Sequence, residues 1–336
     1  MIYYRPIAMT DAARPKAAAP LAGGWCWFDR AEVLTRQGSE GLVPVQDIPA
    51  DVVDRMTAPR APVAGMAMAA PKLMGVLNVT PDSFSDGGRY DTLAAGLAQA
   101  RTLAENADVL DIGGESTRPG AAEVSINEEI ARTAPLIAAL RAGGLTAPIS
   151  IDTRKAAVAA AALGAGASMV NDVAALTFDP ALAELVAGQA VPLCLMHAQG
   201  APDTMQADPR YDDAALDVYD FLAARIAVAK AAGIPLSRII IDPGIGFGKT
   251  LENNLALIRS LSLLHGLGCA ILLGASRKRF IGSIGQEAQA DRRGPGSIAV
   301  TLAGLAQGVQ LHRVHDTKDT RQAVRLWQAV TERDTR

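Results

Sequence analysis

The sequence predicts the α/β class, and within it a (β/α)8 TIM barrel with a small N-terminal extension. Three observations predict it. The first is an apolar run that ends in polar, loop-forming residues, Gly75-Val76-Leu77-Asn78-Val79-Thr80-Pro81-Asp82-Ser83-Phe84-Ser85-Asp86-Gly87-Gly88. The second is recurrence. Five further apolar runs lead into Asp111-Ile112-Gly113-Gly114-Glu115-Ser116-Thr117-Arg118-Pro119, Asp152-Thr153, Asn171-Asp172, Asp242-Pro243-Gly244 and Ser276-Arg277-Lys278. The third is that helical stretches separate these runs, whose near-continuous aliphatic character suits parallel strands buried on both faces. One polar strand ending is ordinary; a series of them describes a barrel with a polar site on one rim.

The elements follow in order. Residues 1–57 form the extension, with Trp25, Trp27 and Phe28 ahead of a short helix expected at about 30–36. A segment this short cannot bury such aromatics alone, so it is expected to pack on the barrel's non-catalytic surface or across a subunit contact. Residues 58–71 are rich in Ala, Pro and Met without periodicity and read as a linker. The barrel domain spans 72–336, with strands expected at 72–79, 109–113, 148–152, 169–172, 192–197, 239–242, 270–276 and 310–315. Helices are expected near 93–107, 126–141, 156–163 and 180–187, then up to about 233, at 252–264, around 297–306 and at 318–331. Ser125 and Glu128 make a capping box for the second of them. Eight strand–helix pairs favour a closed barrel over an open doubly wound sheet.

Bulk properties exclude several classes. A net charge of −3 and an isoelectric point near 5.9 argue against a nucleic-acid surface. An anionic substrate would have to meet locally concentrated Lys and Arg. Cys26, Cys194 and Cys269 show neither a pairing nor a metal pattern, as expected in a reducing cytoplasm. The first residues, Met1-Ile2-Tyr3-Tyr4-Arg5-Pro6, lack the pattern of a cleavable leader. The most apolar region, 156–170, is too short and too weakly apolar to span a membrane.

Asp111, Asp152, Asn171 and Asp242 can converge on the rim. Asp and Asn are poor strand formers, and several together suit a ligand rich in N–H donors, such as a flat aminated heterocycle. Metal binding is the rival reading, with only His197 or His315 nearby as a ring ligand, which disfavours zinc or iron. The run Gly244-Ile245-Gly246-Phe247-Gly248-Lys249-Thr250 misses both the P-loop and the dinucleotide spacing. It reads as a loop passing close to a ligand with Phe247 as a stacking plate, or as a plain βα turn. Ser276-Arg277-Lys278 and the alternating pair Arg313 and His315 close the last two strands, the usual anion-binding region of such barrels. His197 reads equally as a catalytic group or as a structural donor, while His265 and His312 read as structural or exposed.

Taken together, Asn78 to Gly88, Asp111 to Gly120, Ile151 to Thr153, Val170 to Val173, Met196 to Gly200, Asp242 to Lys249, Ser276 to Lys278 and Arg313 to Asp316 closely resemble the dihydropteroate synthase family of pterin-binding barrels. The resemblance runs in family order from about Lys72 to the end and leaves 1–71 outside it; Ala198 and Ala275 stand where relatives often carry bulkier residues. It implies condensation of 6-hydroxymethyl-7,8-dihydropterin diphosphate with p-aminobenzoate, with Mg2+ as cofactor. It implies Asp152, Lys278 and Asn78 as catalytic residues, and Asp111, Asp152, Asn171, Met196, Asp242 and Lys278 around the pterin. Asn78, Thr117, Arg313 and His315 would hold the diphosphate, with Asn78 also toward the metal. Phe84, Thr117, Arg118, Pro119, Phe247, Ser276 and Lys278 would surround the aminobenzoate. A cytoplasmic homodimer inhibited competitively by sulfonamides is the further expectation. Two alternatives are a pterin-dependent methyltransferase, which would be expected to lack the 80–88 loop and Ser276-Arg277-Lys278, and a non-catalytic pterin-binding paralogue, against which stand the filled functional positions.

Overall fold

The computed structural model describes residues 1–79, 89–116, 123–200 and 204–331. The chain opens with β1 (Tyr3–Pro6), β2 (Ala19–Pro20), β3 (Trp27–Phe28), β4 (Arg30–Thr35), β5 (Gly38–Pro44) and α1 (Ala50–Thr57). The barrel then alternates β6 (Lys72–Asn78), α2 (Arg89–Ala104), β7 (Val109–Gly113), α3 (Ile126–Ala142), β8 (Ile149–Asp152), α4 (Ala156–Gly164), β9 (Met169–Asp172) and α5 (Ala181–Gln189). It continues with β10 (Leu193–Met196), α6 (Ala214–Ala231), β11 (Ile239–Asp242), α7 (Leu251–Arg259), β12 (Ala270–Leu273), α8 (Arg279–Gly285), α9 (Gly294–Leu305), β13 (Leu311–Val314) and α10 (Thr317–Thr331). All eight barrel strands are parallel, and the ring closes where β13 pairs with β6, Leu311 opposite Lys72 and Val314 opposite Gly75.

Strand alternation sorts the apolar side chains into two layers. Leu110, Ile112, Ile149, Ile151, Val170, Leu193, Leu195, Ile239 and Ile241 pack outward in the large cluster shared with the helices. Met74, Val109, Met169, Cys194, Ile240, Ala270, Leu272 and Leu311 form a second cluster, inside the barrel. The interior below the rim is therefore a packed core, and Asp111, Asn171 and Asp242, each two residues beyond an inward Val109, Met169 or Ile240, face inward above it. Helix α3 starts as the capping box requires, with Ser125 accepting from the Glu128 amide at 3.3 Å.

The first seventy residues differ from the sequence reading in two places. The helix expected at 30–36 is strand β4, central in the antiparallel order β1-β4-β5. Ala31 and Val33 alternate inward while Glu32 pairs with Arg5 across the sheet, so a period of two prevails over local helix propensity. Residues 58–71, expected as a linker, bury Val63, Met66 and Met68 against the interior cluster and close the barrel floor. Ala64 and Gly65, at φ 46° and 82°, make the tight turn that brings Val63 and Met66 together.

The extension has a small core of its own, Leu21, Cys26, Phe28, Ala31, Ile48 and Met56. It lies on the outer wall, where its bonds run from the end of α9 to the first turns of α6. Trp25 Nε1 donates to the Leu305 carbonyl at the end of α9 (2.8 Å), and Ser262 donates to the Pro6 carbonyl (2.8 Å). Tyr3 and Arg36 engage Asp220, and Arg36 also pairs with Asp217, in the first turns of α6. Buried His265 and His312 sit within this lower wall, each bonded to a backbone carbonyl.

Candidate active site

Eight strand endings supply the rim. Asp111, Asp152, Asn171, Met196 and Asp242 are all buried there, while Asn78 is half-buried at the end of β6. Arg313, from β13, lies across them: its Nε donates to Asp111 Oδ2 at 2.6 Å and its Nη2 to Asp152 Oδ2 at 2.8 Å. Asn171 Nδ2 donates to the same Asp111 oxygen at 3.1 Å. Asp111 Oδ1 is left buried without a partner. An unfilled carboxylate acceptor costs free energy unless a donor arrives, so the floor is built for a ligand carrying N–H groups.

Asp242 accepts from the Gly244 amide at 2.7 Å. Gly274 stands opposite; a Cβ there would lie 3.3 Å from Asp242 Oδ2, so glycine keeps that face of the pocket open. Lys278 caps α8, places its Nζ 4.1 Å from the Phe247 ring centroid and donates to the Ile245 carbonyl. The helix begins at Arg279, so Ser276 belongs to the turn before it, where its hydroxyl meets His315 Nδ1 at 3.1 Å. Arg277, at φ 59°, turns away to pair with Asp316. Phe84, Thr117, Arg118 and Pro119 lie outside the described residues.

Burial raises the Asp152 carboxyl to about 7, with Arg313 opposing and Asp111, Glu129 and Asp172 adding to the rise. Burial also raises Asp242, against the pull of Lys278. Lys278 is lowered to about 7 by burial, with Asp242 opposing. Burial lowers Arg313, but Asp111 and Asp152 outweigh it and hold the guanidinium protonated. A carboxyl with a raised pKa is protonated below it and surrenders its acceptor charge. Affinity for a flat heterocycle carrying N–H donors is therefore expected to rise with pH through about 7, the value for Asp152, and Asp152→Asn is expected to flatten the rise. Fluorescence titration across neutral pH measures both, and an equal slope in the two proteins would remove Asp152 as the titrating group.

Sequence reasoning missed a buried ion cluster behind this rim. Lys155, 3% exposed, donates to Glu115 at 3.1 Å, Glu129 at 2.8 Å and the Val124 carbonyl at 2.6 Å, while Arg154 also pairs with Glu115. It braces the ends of β7 and β8 against α3. The two cations directly after Asp152-Thr153 were the available signal. No group of three or more His, Cys, Asp or Glu able to hold a metal occurs among the described residues, and none of their helices is long and apolar enough to cross a membrane.

Comparison with known proteins follows the same geometry. The family model for pterin binding enzymes matches residues 74–315. A curated relative, the dihydropteroate synthase of Neisseria meningitidis serogroup B, is 49% identical in an alignment of 267 positions that covers 77% of this chain and 93% of that one. The structure of Xanthomonas albilineans dihydropteroate synthase with 4-aminobenzoic acid superposes with a TM-score of 0.77 at 45% identity, covering 82% of this chain and 99% of that one. The Yersinia pestis dihydropteroate synthase in complex with a sulfonamide drug gives a TM-score of 0.74 at 42% identity, covering 79% and 96%. The polar rim described above thus sits in a chain that belongs to the pterin-binding enzymes and, within them, to the dihydropteroate synthase family.

Proposed function

We infer that this rim joins a dihydropterin diphosphate to p-aminobenzoate, releasing diphosphate and forming dihydropteroate. The observation that carries the reading is the unpartnered Asp111 Oδ1 buried beside Asn171, Asp152 and Asp242, with Arg313 across them and Lys278 and His315 beside the neighbouring strand ends. The four acceptor-bearing side chains meet the amino and ring N–H groups of a pterin. Met196, 4% exposed, gives its ring an apolar wall. Phe247 and Lys278 flank the aminobenzoate, and Ser276 faces its carboxylate.

An arylamine is a weak nucleophile, so the electrophile must be strong. The methylene carbon loses diphosphate, the C–O bond breaking ahead of attack by the amine nitrogen, which then gives up a proton. Asp152 opposes the positive charge that develops on the pterin as the leaving group departs. Arg313 on the last strand and His315 just past its end meet the departing diphosphate, with Asn78 at the end of the adjoining β6. The protein's donor set fits Mg2+ held mainly by substrate oxygens: Asn78 offers a hard amide oxygen at a strand end, and Mg2+ takes few protein ligands at phosphate sites. When bound there, Mg2+ would neutralise charge on the diphosphate.

Arg313 carries a consequence for its own replacement. It bridges Asp111 and Asp152, so Arg313→Ala removes a diphosphate contact and also leaves two buried carboxylates without their cation. Affinity for the pterin diphosphate is expected to fall by at least about tenfold, and for a pterin lacking the diphosphate by a smaller factor, since truncating one partner of a buried charge pair costs 2–5 kcal/mol in total. Calorimetry with the two ligands measures this; equal losses would remove the leaving-group role.

Sulfonamides would compete with the aminobenzoate. A homodimer is supported by Leu326 and Val330, 65% and 73% exposed one turn apart on α10, and a cytoplasmic location by three buried free cysteines. The deciding experiment is diphosphate release from the pterin diphosphate with and without p-aminobenzoate. Release that requires the arylamine and yields dihydropteroate supports the reading; no product with both substrates present would end it.

A further inference from the structure

We propose that Lys249 is a positioning residue for the aminobenzoate half of the site: its buried amino group ties the turn after β11 to His197, just past β10, and so sets where Phe247 and Lys278 stand. The proposal rests on the assignment of Phe247 and Lys278 to the aminobenzoate. It gives a role to His197 and to the Gly-rich run.

Lys249 is 3% exposed. Its Nζ lies 2.8 Å from His197 Nδ1, 2.9 Å from the Gly244 carbonyl, 3.0 Å from the Phe247 carbonyl and 3.3 Å from the His197 carbonyl. An ammonium has three donors and no acceptor, and the three shortest contacts are all acceptors if the imidazole is neutral with its proton on Nε2. Burial and the Lys249 charge hold His197 neutral, its pKa down at about 3. The ring is packed edge-on against Phe221, centroids 4.7 Å apart, and beside Tyr211 at 5.9 Å.

The glycines explain why a strong hydrogen-bond donor is needed; burial and Lys278 pull Lys249 well below its usual pKa, with Asp242 opposing. A Cβ on Gly244 would lie 1.8 Å from the His197 carbonyl oxygen, and one on Gly248 would lie 2.3 Å from that of Gln199. Both residues also have positive φ, 65° and 60°. Glycine therefore permits two turns to meet backbone to backbone, which brings carbonyl oxygens together in a buried space. Lys249 donates to the Gly244 and Phe247 carbonyls and to the ring, converting repulsion into a cross-link.

What the cross-link holds reaches the rim. The Phe247 carbonyl is one of its acceptors, and the Phe247 ring lies 4.1 Å from Lys278 Nζ. Lys278 donates to Ile245 in the same turn, and a Cβ on Gly246 would lie 2.9 Å from Lys278 Cδ. The floor carboxylates Asp111 and Asp152 and the amide of Asn171 come from other strands and make no bond to Lys249; Asp242 alone of the floor adjoins the turn, through the Gly244 amide. Loss of the tie should thus displace the aminobenzoate contacts more than the pterin floor.

The test uses the full chain. Lys249→Met is expected to raise KM for p-aminobenzoate by at least about tenfold while KM for the pterin diphosphate moves by less than about threefold, the pattern of lost substrate positioning. In 15N spectra His197 should pass from an acceptor at Nδ1 to a ring that titrates at higher pH, because among the described residues Lys249 is the basic group bonded to it; Tyr211 and Phe221 are the rings that face it. Phe247→Leu should reproduce the KM change with the His197 spectrum intact. A raised KM in Phe247→Leu beside an unchanged one in Lys249→Met overturns the proposal alone. An unchanged KM in Phe247→Leu overturns the aminobenzoate assignment and the proposal with it. Should Lys249→Met fail to fold, His197→Leu removes one acceptor of the tie and should show the same split at smaller size; an unchanged KM for p-aminobenzoate there rejects the proposal.

Discussion

Asp152→Asn is expected to lower kcat by roughly two orders of magnitude, as for loss of one preorganised electrostatic stabiliser, with a smaller rise in KM for the pterin diphosphate. The amide has nearly the shape of the carboxylate and can still accept from Arg313 Nη2, which lies 2.8 Å from Asp152 Oδ2. What disappears is the negative charge. Its surroundings make that charge count: the side chain is 7% exposed, so little water is present to screen it from a cation forming on the pterin. Stopped-flow or steady-state rates at saturating substrates measure the effect. An unchanged kcat would reject the electrostatic role, and a change confined to KM would reduce Asp152 to a pterin contact.

The same residue illustrates how much of the site was legible. Strand endings can be read from the chain because an apolar run closing on Asp or Asn goes against strand propensity, and repetition excludes chance. Asp111, Asp152, Asn171 and Asp242 were found that way, and the barrel register brings them together. Partnerships between distant strand ends were not legible. Arg313 reaches residues 202 and 161 positions away, and Lys249 reaches His197 across 52. Nothing local marks a lysine that serves a neighbouring turn. The glycines of 244–248 were read as a loop passing close to a ligand; what lies against Gly244 and Gly248 is the backbone of His197 and Gln199. In β4 the tetrapeptide Arg30-Ala31-Glu32-Val33 suits either period, and only pairing with β1 and β5 decides it. The segment 58–71 looked unstructured because its turn and its three inward side chains have no periodicity; the barrel floor supplies their burial.

Removal of residues 1–57 is expected to lower the melting temperature clearly while leaving KM for both substrates within a few-fold. Removal of residues 1–70 is expected to leave a chain that is insoluble or does not fold. The difference lies in the floor. Val63, Met66 and Met68 are 2%, 8% and 1% exposed, packed on Met74, Met169 and Leu311 inside the barrel. Burying such a side chain contributes about 1.5–3 kcal/mol, so three together approach the net stability of a domain, about 5–15 kcal/mol. The shorter deletion keeps that plug and loses contacts on the wall: Trp25 to Leu305, Pro6 to Ser262, Arg55 to Gly266, and Arg36 to Asp217 and Asp220. None of these touches Asp152, Asp242, Lys278 or Arg313, which is why KM should hold. The loss should nonetheless be visible, because Leu263 and Leu216 would surrender the cover of Tyr3. Calorimetry of both deletions and steady-state kinetics of the shorter one decide the matter. Unchanged melting with a large rise in KM would make the extension a lid over the rim; a well-folded protein lacking residues 1–70 would mean that the barrel closes its own floor.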